Sequence, residues 1–298
     1  MLTTDLKNDF NALLPGQTTE AGASRRTALK VALGVGYAAS AMPIIAQTAI
    51  KTSSDGLKTG EITYEVNGFK VPAYYAMPAG KTNCPVVLVV QEIFGVHEYI
   101  ADTCRRFAKE GYLAIASELY ARQGDPTKYG ENGKLIAEVV NKVPDAQVMA
   151  DLDGAVKWAG SNGGDTSKVA VTGFCWGGRI TWLYAAHGPV KAGVAWYGRL
   201  VGAPNDLQPK NPVDFAVNLR APVLGLYGEK DTGITLETVD RMKAALATGN
   251  AASKASQFVV YPDAPHAFHA DYRPSYRKEA ADDGFRRCVA WFKANGVS

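Results

Sequence analysis

The chain has 298 residues, of which 47% are hydrophobic and 20% charged, and 32 basic against 29 acidic residues give a formal net charge of +3. This composition supplies a large apolar core and excludes general disorder. The basic residues are scattered through both halves without the stripe that nucleic-acid binding requires, so nucleic acid is not predicted as a partner.

The first fifty residues are interpreted as an export signal and flexible segment rather than part of the fold. Arg25 and Arg26 stand in the sequence S-R-R-T-A-L-K, and an uncharged, weakly apolar stretch covers residues 31–50. This resembles a twin-arginine signal, although Ala28 stands where a large apolar residue is usual. The alternatives are a disordered tail and an uncleaved membrane anchor. We predict export to the periplasm by the twin-arginine machinery; without it, the protein would be cytoplasmic.

The first elements of the fold, after residue 56, are predicted to be strands. Partly alternating apolar residues at 61–66 and 70–77 flank Asn67-Gly68, a dipeptide typical of tight hairpins. The continuous apolar run at residues 86–90 indicates a strand buried on both faces of a parallel sheet.

Strands and helices alternate through the rest of the chain. Helices are predicted at residues 101–110, 146–159, 179–186, 235–247 and 278–293, and strands at 113–116, 169–172, 193–196, 223–227 and 258–261. This alternation predicts an α/β fold, with a mostly parallel central sheet and helices on both faces, as a single domain over residues 56–298. Two irregular polar stretches, residues 122–133 and 202–218, are predicted to form the rim of a pocket.

The sequence G-F-C-W-G-G at residues 173–178 lies between a predicted strand and a predicted helix, and it matches the nucleophile elbow G-x-Nu-x-G. The sharp turn crowds the backbone, so its flanking positions need glycine, and Cys175 projects above the sheet. Amide dipoles at a helix N-terminus favour a thiolate. Cys175 is therefore the candidate nucleophile. A small buried apolar residue is the alternative, and that interpretation is kept for Cys84, Cys104 and Cys288.

A thiol nucleophile needs a base, and the base needs a carboxylate to orient it. Asp231 and His266 each follow a predicted strand, in the order nucleophile, acid, histidine that this fold uses. Glu229 and Asp263 are alternative acids, and His269 is an alternative base.

The oxyanion of acyl transfer needs backbone donors, usually the amide after the nucleophile and one after the third strand. Here these are the amides of Trp176 and Ile93. Glu92 would then point into the same site, where it could accept the thiol proton or oppose thiolate formation as a like charge. A solvated loop carboxylate is the alternative for Glu92.

Six short motifs in this order resemble the dienelactone hydrolase (carboxymethylenebutenolidase) family of the α/β-hydrolase superfamily, from about residue 60 to the C-terminus. They are Q-E-I-F-G at 91–95, L-Y-A-R at 119–122, G-F-C-W-G-G at 173–178, Y-G at 197–198, D-T at 231–232 and P-H-A-F-H at 265–269. The resemblance implies a cofactor-free cysteine hydrolase of enol-lactones or related esters. It further implies a triad of Cys175, Asp231 and His266, with Glu92 as the acid beside the thiol.

The substrate-binding residues are the least defined part of this resemblance. Lactonases of this type place a serine directly after the histidine and an arginine four residues after it, where this chain has Ala267 and Ala270. Arg122, Arg199 and Arg273 are the candidates to bind a substrate carboxylate instead, since arginine favours bidentate anion binding.

Two classes of function follow from these residues. The first is hydrolysis of a small lactone or ester through a thioester acyl-enzyme, with no cofactor and no metal, since His266 and His269 alone make a weak metal case. The second is a redox-reactive or ligand-sensing protein on a hydrolase scaffold. The complete triad favours the enzyme, because a sensor would need neither Asp231 nor His266.

Overall fold

The computed structural model describes residues 50–298, and the predicted export segment, including Arg25 and Arg26, lies outside them. Eight strands form one sheet in the order β1-β2-β4-β3-β5-β6-β7-β8. The strands are β1 Leu57–Val66, β2 Phe69–Pro78, β3 Cys84–Val90, β4 Leu113–Ser117, β5 Gly164–Phe174, β6 Ala192–Trp196, β7 Val223–Gly228 and β8 Gln257–Tyr261.

The sheet begins with the predicted hairpin and then becomes parallel. β1 pairs with β2 in an antiparallel register that closes at Val66 and Phe69. Asn67 and Gly68 have φ angles of 50° and 78°, as a two-residue hairpin turn requires. β2 is also antiparallel to β4, whereas all later pairs are parallel.

Helices cover both faces of the sheet. They are α1 Glu98–Lys109, α2 Asn132–Glu138, α3 Asp145–Ser161, α4 Trp176–His187, α5 Pro212–Phe215, α6 Leu236–Ala247, α7 Ala251–Ala255 and α8 Lys278–Ala294. The core consists of two clusters, one under α3, α4 and α6 and the other under α1 and α8. β3 contributes Val86, Leu88 and Val90 to the first cluster and Val87 and Val89 to the second, as expected for a strand buried on both faces.

The predicted α/β-hydrolase fold is confirmed by this topology. The differences lie at element ends and in the irregular stretches. α4 begins at Trp176, three residues before the predicted start, because the helix starts directly at the elbow. Short helices α2 and α5 form in or beside the two stretches expected to be loops, and α5 starts with an Asn211 capping box that the composition did not reveal.

Candidate active site

The backbone forces Cys175 into an unusual conformation at the turn between β5 and α4. Its φ and ψ angles are 55° and −114°, a region that L-residues rarely adopt. A Cβ atom on Gly173 would collide with the carbonyl of Gly177, and one on Gly177 would collide with the carbonyls of Val90 and Gln91. The glycines therefore let the elbow approach the end of β3, and the thiol projects from the carboxyl edge of the sheet.

A second close approach fixes the other side of the elbow. The Cys175 N–H donates to the Trp196 carbonyl over 3.0 Å. A Cβ on Gly178 would lie 2.5 Å from the same carbonyl oxygen and 2.8 Å from the Cα of Gly198. Tyr197, which stands between Trp196 and Gly198 in the sequence, is fully buried and has a φ of 38°. The position of the Cys175 thiol is thus set by contacts between backbones on β5, α4 and β6.

His266 lies between a carboxylate and the thiol. Its Nδ1 is 2.7 Å from Asp231 Oδ2, while Oδ1 accepts hydrogen bonds from the N–H groups of Gly233 and Ile234, each over 3.0 Å. Burial disfavours the imidazolium, but the charge of Asp231 and the neighbouring Cys175 outweigh it and raise the pKa of His266 well above its usual range. Because Nδ1 faces Asp231, Nε2 is left for the thiol. This arrangement can stabilise an imidazolium beside a thiolate.

The alternative acids and base lie elsewhere. Glu229 is exposed and pairs with Lys230, and Asp263 is exposed at a turn with a φ of 59°. His269 is buried, with its Nδ1 2.6 Å from the hydroxyl of Tyr99. Burial, with the nearby charge of Arg106, holds the pKa of His269 well below its usual range. None of the three takes the place of Asp231 or His266 in the described contacts.

Glu92 is buried and held by side chains from a distant segment. Its Oε2 accepts a hydrogen bond from the Tyr272 hydroxyl over 2.6 Å and lies 3.4 Å from His97 Nε2. Burial opposes the charge, but His97, Arg273 and Tyr272 outweigh it and lower the pKa of Glu92 to about 2. Glu92 is therefore an ionised carboxylate with its own partners, and not the solvated loop residue considered as an alternative.

Two buried tyrosines connect Glu92 electrostatically with the nucleophile. Burial raises the pKa of Tyr120 and of Tyr197 well above the usual range, and the charges of Cys175 and Glu92 raise both further. Glu92 and Cys175 therefore act on the same two hydroxyl groups. Both hydroxyl groups are therefore protonated near neutral pH and can donate hydrogen bonds.

The two predicted oxyanion donors are on neighbouring segments. Trp176 is the first residue of α4, and Ile93 follows β3 in a loop closed by an isolated bridge between Glu92 and Gly95. The contact of Gly177 with the end of β3 brings the two segments together. A helix N-terminus and a tight loop can thus present amide groups at the same edge of the sheet as the thiol.

Comparison with known proteins assigns the chain to a family. A family model described as "Dienelactone hydrolase family" matches residues 71–296. The chain belongs to the dienelactone hydrolase family. It is 56% identical over 291 residues to a Methylorubrum extorquens protein named "Putative carboxymethylenebutenolidase", which covers 97% of this chain and 99% of the relative. A Yersinia pestis protein of the same name is 57% identical, over 82% of this chain and 91% of the relative.

Solved structures agree with this assignment. A crystal structure described as a "Putative Dienelactone Hydrolase" from Klebsiella pneumoniae subsp. pneumoniae is 56% identical, with a TM-score of 0.77, over 80% of this chain and 98% of that chain. An acylaminoacyl peptidase shares only the fold, at 16% identity and a TM-score of 0.63, over 80% of this chain and 41% of that chain. The predicted family and the predicted class of enzyme, a carboxylic ester hydrolase, are confirmed.

The three candidate arginines of this dienelactone hydrolase family member have different surroundings. Arg122 Nη1 lies 2.6 Å from Asp151 Oδ2, and its guanidinium stacks 4.3 Å from the ring centre of Phe69. This ion pair between the L-Y-A-R motif and α3 has a structural role, so the contacts of Arg122 do not support substrate binding. Arg199 lies beside Gly202, in the irregular stretch before α5.

Arg273 is the candidate that lies at the site. It is 9% exposed, and its guanidinium stacks on the rings of Phe94, at 4.8 Å, and Tyr272, at 5.1 Å. Burial opposes its charge, but Tyr272, Glu92 and Cys175 raise the pKa of Arg273 further above its usual range. A cation fixed beside both Glu92 and the nucleophile could bind the carboxylate of a substrate.

Sequence reasoning missed the residues that hold Glu92. Tyr272 is 180 positions from Glu92, and no motif connects the two residues. His97 follows the Q-E-I-F-G motif by two residues, yet no role was assigned to it from the sequence. Tyr197 was part of a quoted motif, and its position directly after β6 was the available signal.

Within residues 50–298, no group of three or more His, Cys, Asp and Glu side chains could hold a metal ion, and no helix could span a membrane.

Proposed function

We propose that this dienelactone hydrolase family member hydrolyses a small lactone or ester through a thioester acyl-enzyme on Cys175. The observation that carries the proposal is the position of His266, 2.7 Å from Asp231 on one side and next to the thiol on the other. Both curated relatives described above carry the name of a carboxymethylenebutenolidase, which supports a lactone as the substrate.

The proposed reaction has two acyl-transfer steps. The Cys175 thiolate attacks the carbonyl carbon, and the resulting oxyanion is stabilised by the amides of Trp176 and Ile93. Collapse of this intermediate breaks the C–O bond, and the imidazolium of His266 protonates the departing alkoxide, which in a lactone stays tethered to the acyl group. His266 then takes a proton from water, which attacks the thioester and releases the carboxylic acid. Asp231 orients the imidazole throughout, and Arg273 binds a carboxylate on the substrate.

Trapping the acyl-enzyme tests this proposal. Acid quenching during turnover of an activated aryl ester is expected to give intact protein with the mass of one acyl group added, and peptide mapping is expected to locate it at Cys175. An acyl group on another residue, or turnover that persists in Cys175→Ala, would contradict the covalent route.

Glu92 is proposed to restrain ionisation of the thiol in the absence of substrate. A carboxylate with a pKa of about 2 is a weak proton acceptor, whereas its fixed charge opposes a second anion nearby. Glu92→Gln is therefore expected to speed iodoacetamide alkylation of Cys175 near neutral pH while turnover falls. Alkylation that slows together with turnover would identify Glu92 as the proton acceptor instead. The exposed Glu138→Gln is the matched control and should change neither rate.

Export through the twin-arginine route is proposed for the folded protein, with Arg25 and Arg26 as the recognised pair. Replacing both with lysine is expected to leave the protein in the cytoplasm, which fractionation would detect. The matched control replaces Arg286 and Arg287, an adjacent and exposed pair on α8, with lysine and should still be exported. Periplasmic protein from the first variant would contradict the proposal.

A further inference from the structure

The segment that follows β4 holds both ends of the loop between β3 and α1. At the start of this loop, Gln91 Oε1 accepts a hydrogen bond from the N–H of Leu119 over 3.3 Å. At its end, the N–H of Val96 donates to Glu118 Oε2 over 2.8 Å. Glu118 and Leu119 are adjacent in sequence, so one rigid strand end contacts the loop on both sides of Glu92 and Ile93.

The carboxylate of Glu118 also determines which residue can stand in the loop. Gly95 has a φ of 76°, and a Cβ at this position would lie 2.7 Å from Glu118 Oε2 and 3.0 Å from Oε1. Glu118 itself is only 2% exposed. The loop backbone therefore packs directly on this carboxyl group.

The electrostatic surroundings of Glu118 favour its uncharged form. Burial, helped by the charge of Asp125, raises the pKa of Glu118, whereas hydrogen bonds from the backbone of Val96 and Tyr120 and from Gln91 lower it. The net result is a pKa of about 7. The uncharged carboxyl group is thus populated near neutral pH. What the loop requires from Glu118 is an oxygen atom close enough to accept the hydrogen bond from the Val96 N–H.

We propose that Glu118 is a positioning residue for the oxyanion hole: its carboxyl oxygen fixes the loop that presents the Ile93 amide. This rests on the function proposed above and adds a residue that contacts neither the substrate nor the thiol. Loss of one oxyanion donor costs about 10²- to 10³-fold in kcat, and a donor that is only displaced costs less. We therefore expect about a 10- to 100-fold loss of kcat when the contact between Glu118 and Val96 is broken.

Two conservative variants separate reach from charge. Glu118→Asp keeps the carboxylate but shortens the side chain by one methylene, so the hydrogen bond to Val96 is lost, and kcat is expected to fall about 10- to 100-fold with KM within about three-fold. Glu118→Gln keeps an acceptor oxygen at the same reach for the Val96 N–H and is expected to lose less kcat than Glu118→Asp. Full activity of Glu118→Asp, or equal losses in both variants, would overturn the proposal.

A second measurement distinguishes a displaced oxyanion hole from a damaged triad. Alkylation of Cys175 by iodoacetamide is a substitution at carbon that forms no oxyanion, so Glu118→Asp should be alkylated within about two-fold of the wild-type rate. If alkylation falls as far as turnover, the residue supports the triad instead and the proposal fails. Cys175→Ala is assayed alongside: turnover that survives in it would refute the proposed function without any reference to Glu118.

Discussion

Replacing Cys175 with alanine is expected to lower kcat/KM for lactones and activated esters by at least about 10⁴-fold, because the thiol supplies the attacking electrons. Cys175→Ser is also expected to lose most of the activity, since a hydroxyl is a far weaker nucleophile beside a histidine tuned for a thiol. The matched control is Cys104→Ala, which removes a fully buried thiol from the core and should leave turnover unchanged. Comparable activity in Cys175→Ala and wild type would end the covalent hypothesis.

Position 175 also carries a prediction about stability, in which a substitution is expected to stabilise the protein. A non-glycine residue in a sparsely populated backbone region lowers the free energy of unfolding by about 1–3 kcal/mol, whereas glycine adopts that region without strain. Glycine in turn lowers the free energy of unfolding by about 0.5–1 kcal/mol, because its backbone has more entropy in the unfolded chain. Cys175→Gly is therefore expected to raise the free energy of unfolding about 1 kcal/mol above that of Cys175→Ala. Urea titration of the two variants measures the difference. A glycine variant less stable than the alanine variant would show that the elbow is unstrained.

Asp231→Asn is expected to lower kcat by about 10³- to 10⁴-fold, the order found when the carboxylate of a serine-protease triad becomes an amide. The amide cannot stabilise the imidazolium and can present a donor to Nδ1 of His266, which favours the wrong tautomer. Asp263→Asn is the matched control. Asp263 is exposed and close to His266 in sequence, but it makes none of the described contacts of His266. Equal losses in both variants would contradict the assignment of Asp231.

This substitution should also change how stability depends on pH. The pKa of His266 is higher in the folded protein than in the unfolded chain, where it is about 6.5. Protonation of His266 therefore stabilises the fold; this contribution is full below pH 6.5 and is lost as the pH rises through the folded value. The destabilisation caused by Asp231→Asn should accordingly be larger at pH 6 than at pH 10. Thermal unfolding at the two pH values checks the sign.

That Cys175, Asp231 and His266 lie close together could be predicted from the sequence, because each stands shortly after a strand and has a local pattern. The glycines around Cys175 have a steric cause, and the carboxyl ends of parallel strands meet at one edge of the sheet. The partners of Glu92 had no such signal, since Tyr272 comes from a loop whose path the local sequence does not define. Arg122 illustrates the same limit: as an arginine it was a candidate to bind a substrate carboxylate, but it pairs with Asp151 on α3.

The side chain of Glu118 was missed for a different reason. It precedes the L-Y-A-R motif by one residue and lies at the carboxyl end of β4, so its position was visible in the sequence. Its role depends on a backbone N–H, that of Val96, and backbone partners leave no pattern of residue types. Positions of this kind become apparent only when the distances are known.

Contacts between backbones fix the Cys175 thiol, and this divides the candidate site into parts that differ in their freedom to evolve. Any residue larger than glycine at positions 173, 177 or 178 would push apart segments that place the thiol. Arg273, which is proposed above to bind a substrate carboxylate, comes instead from the loop between β8 and α8. Substrate preference can therefore change by replacement of this loop side chain while the thiol stays where it is.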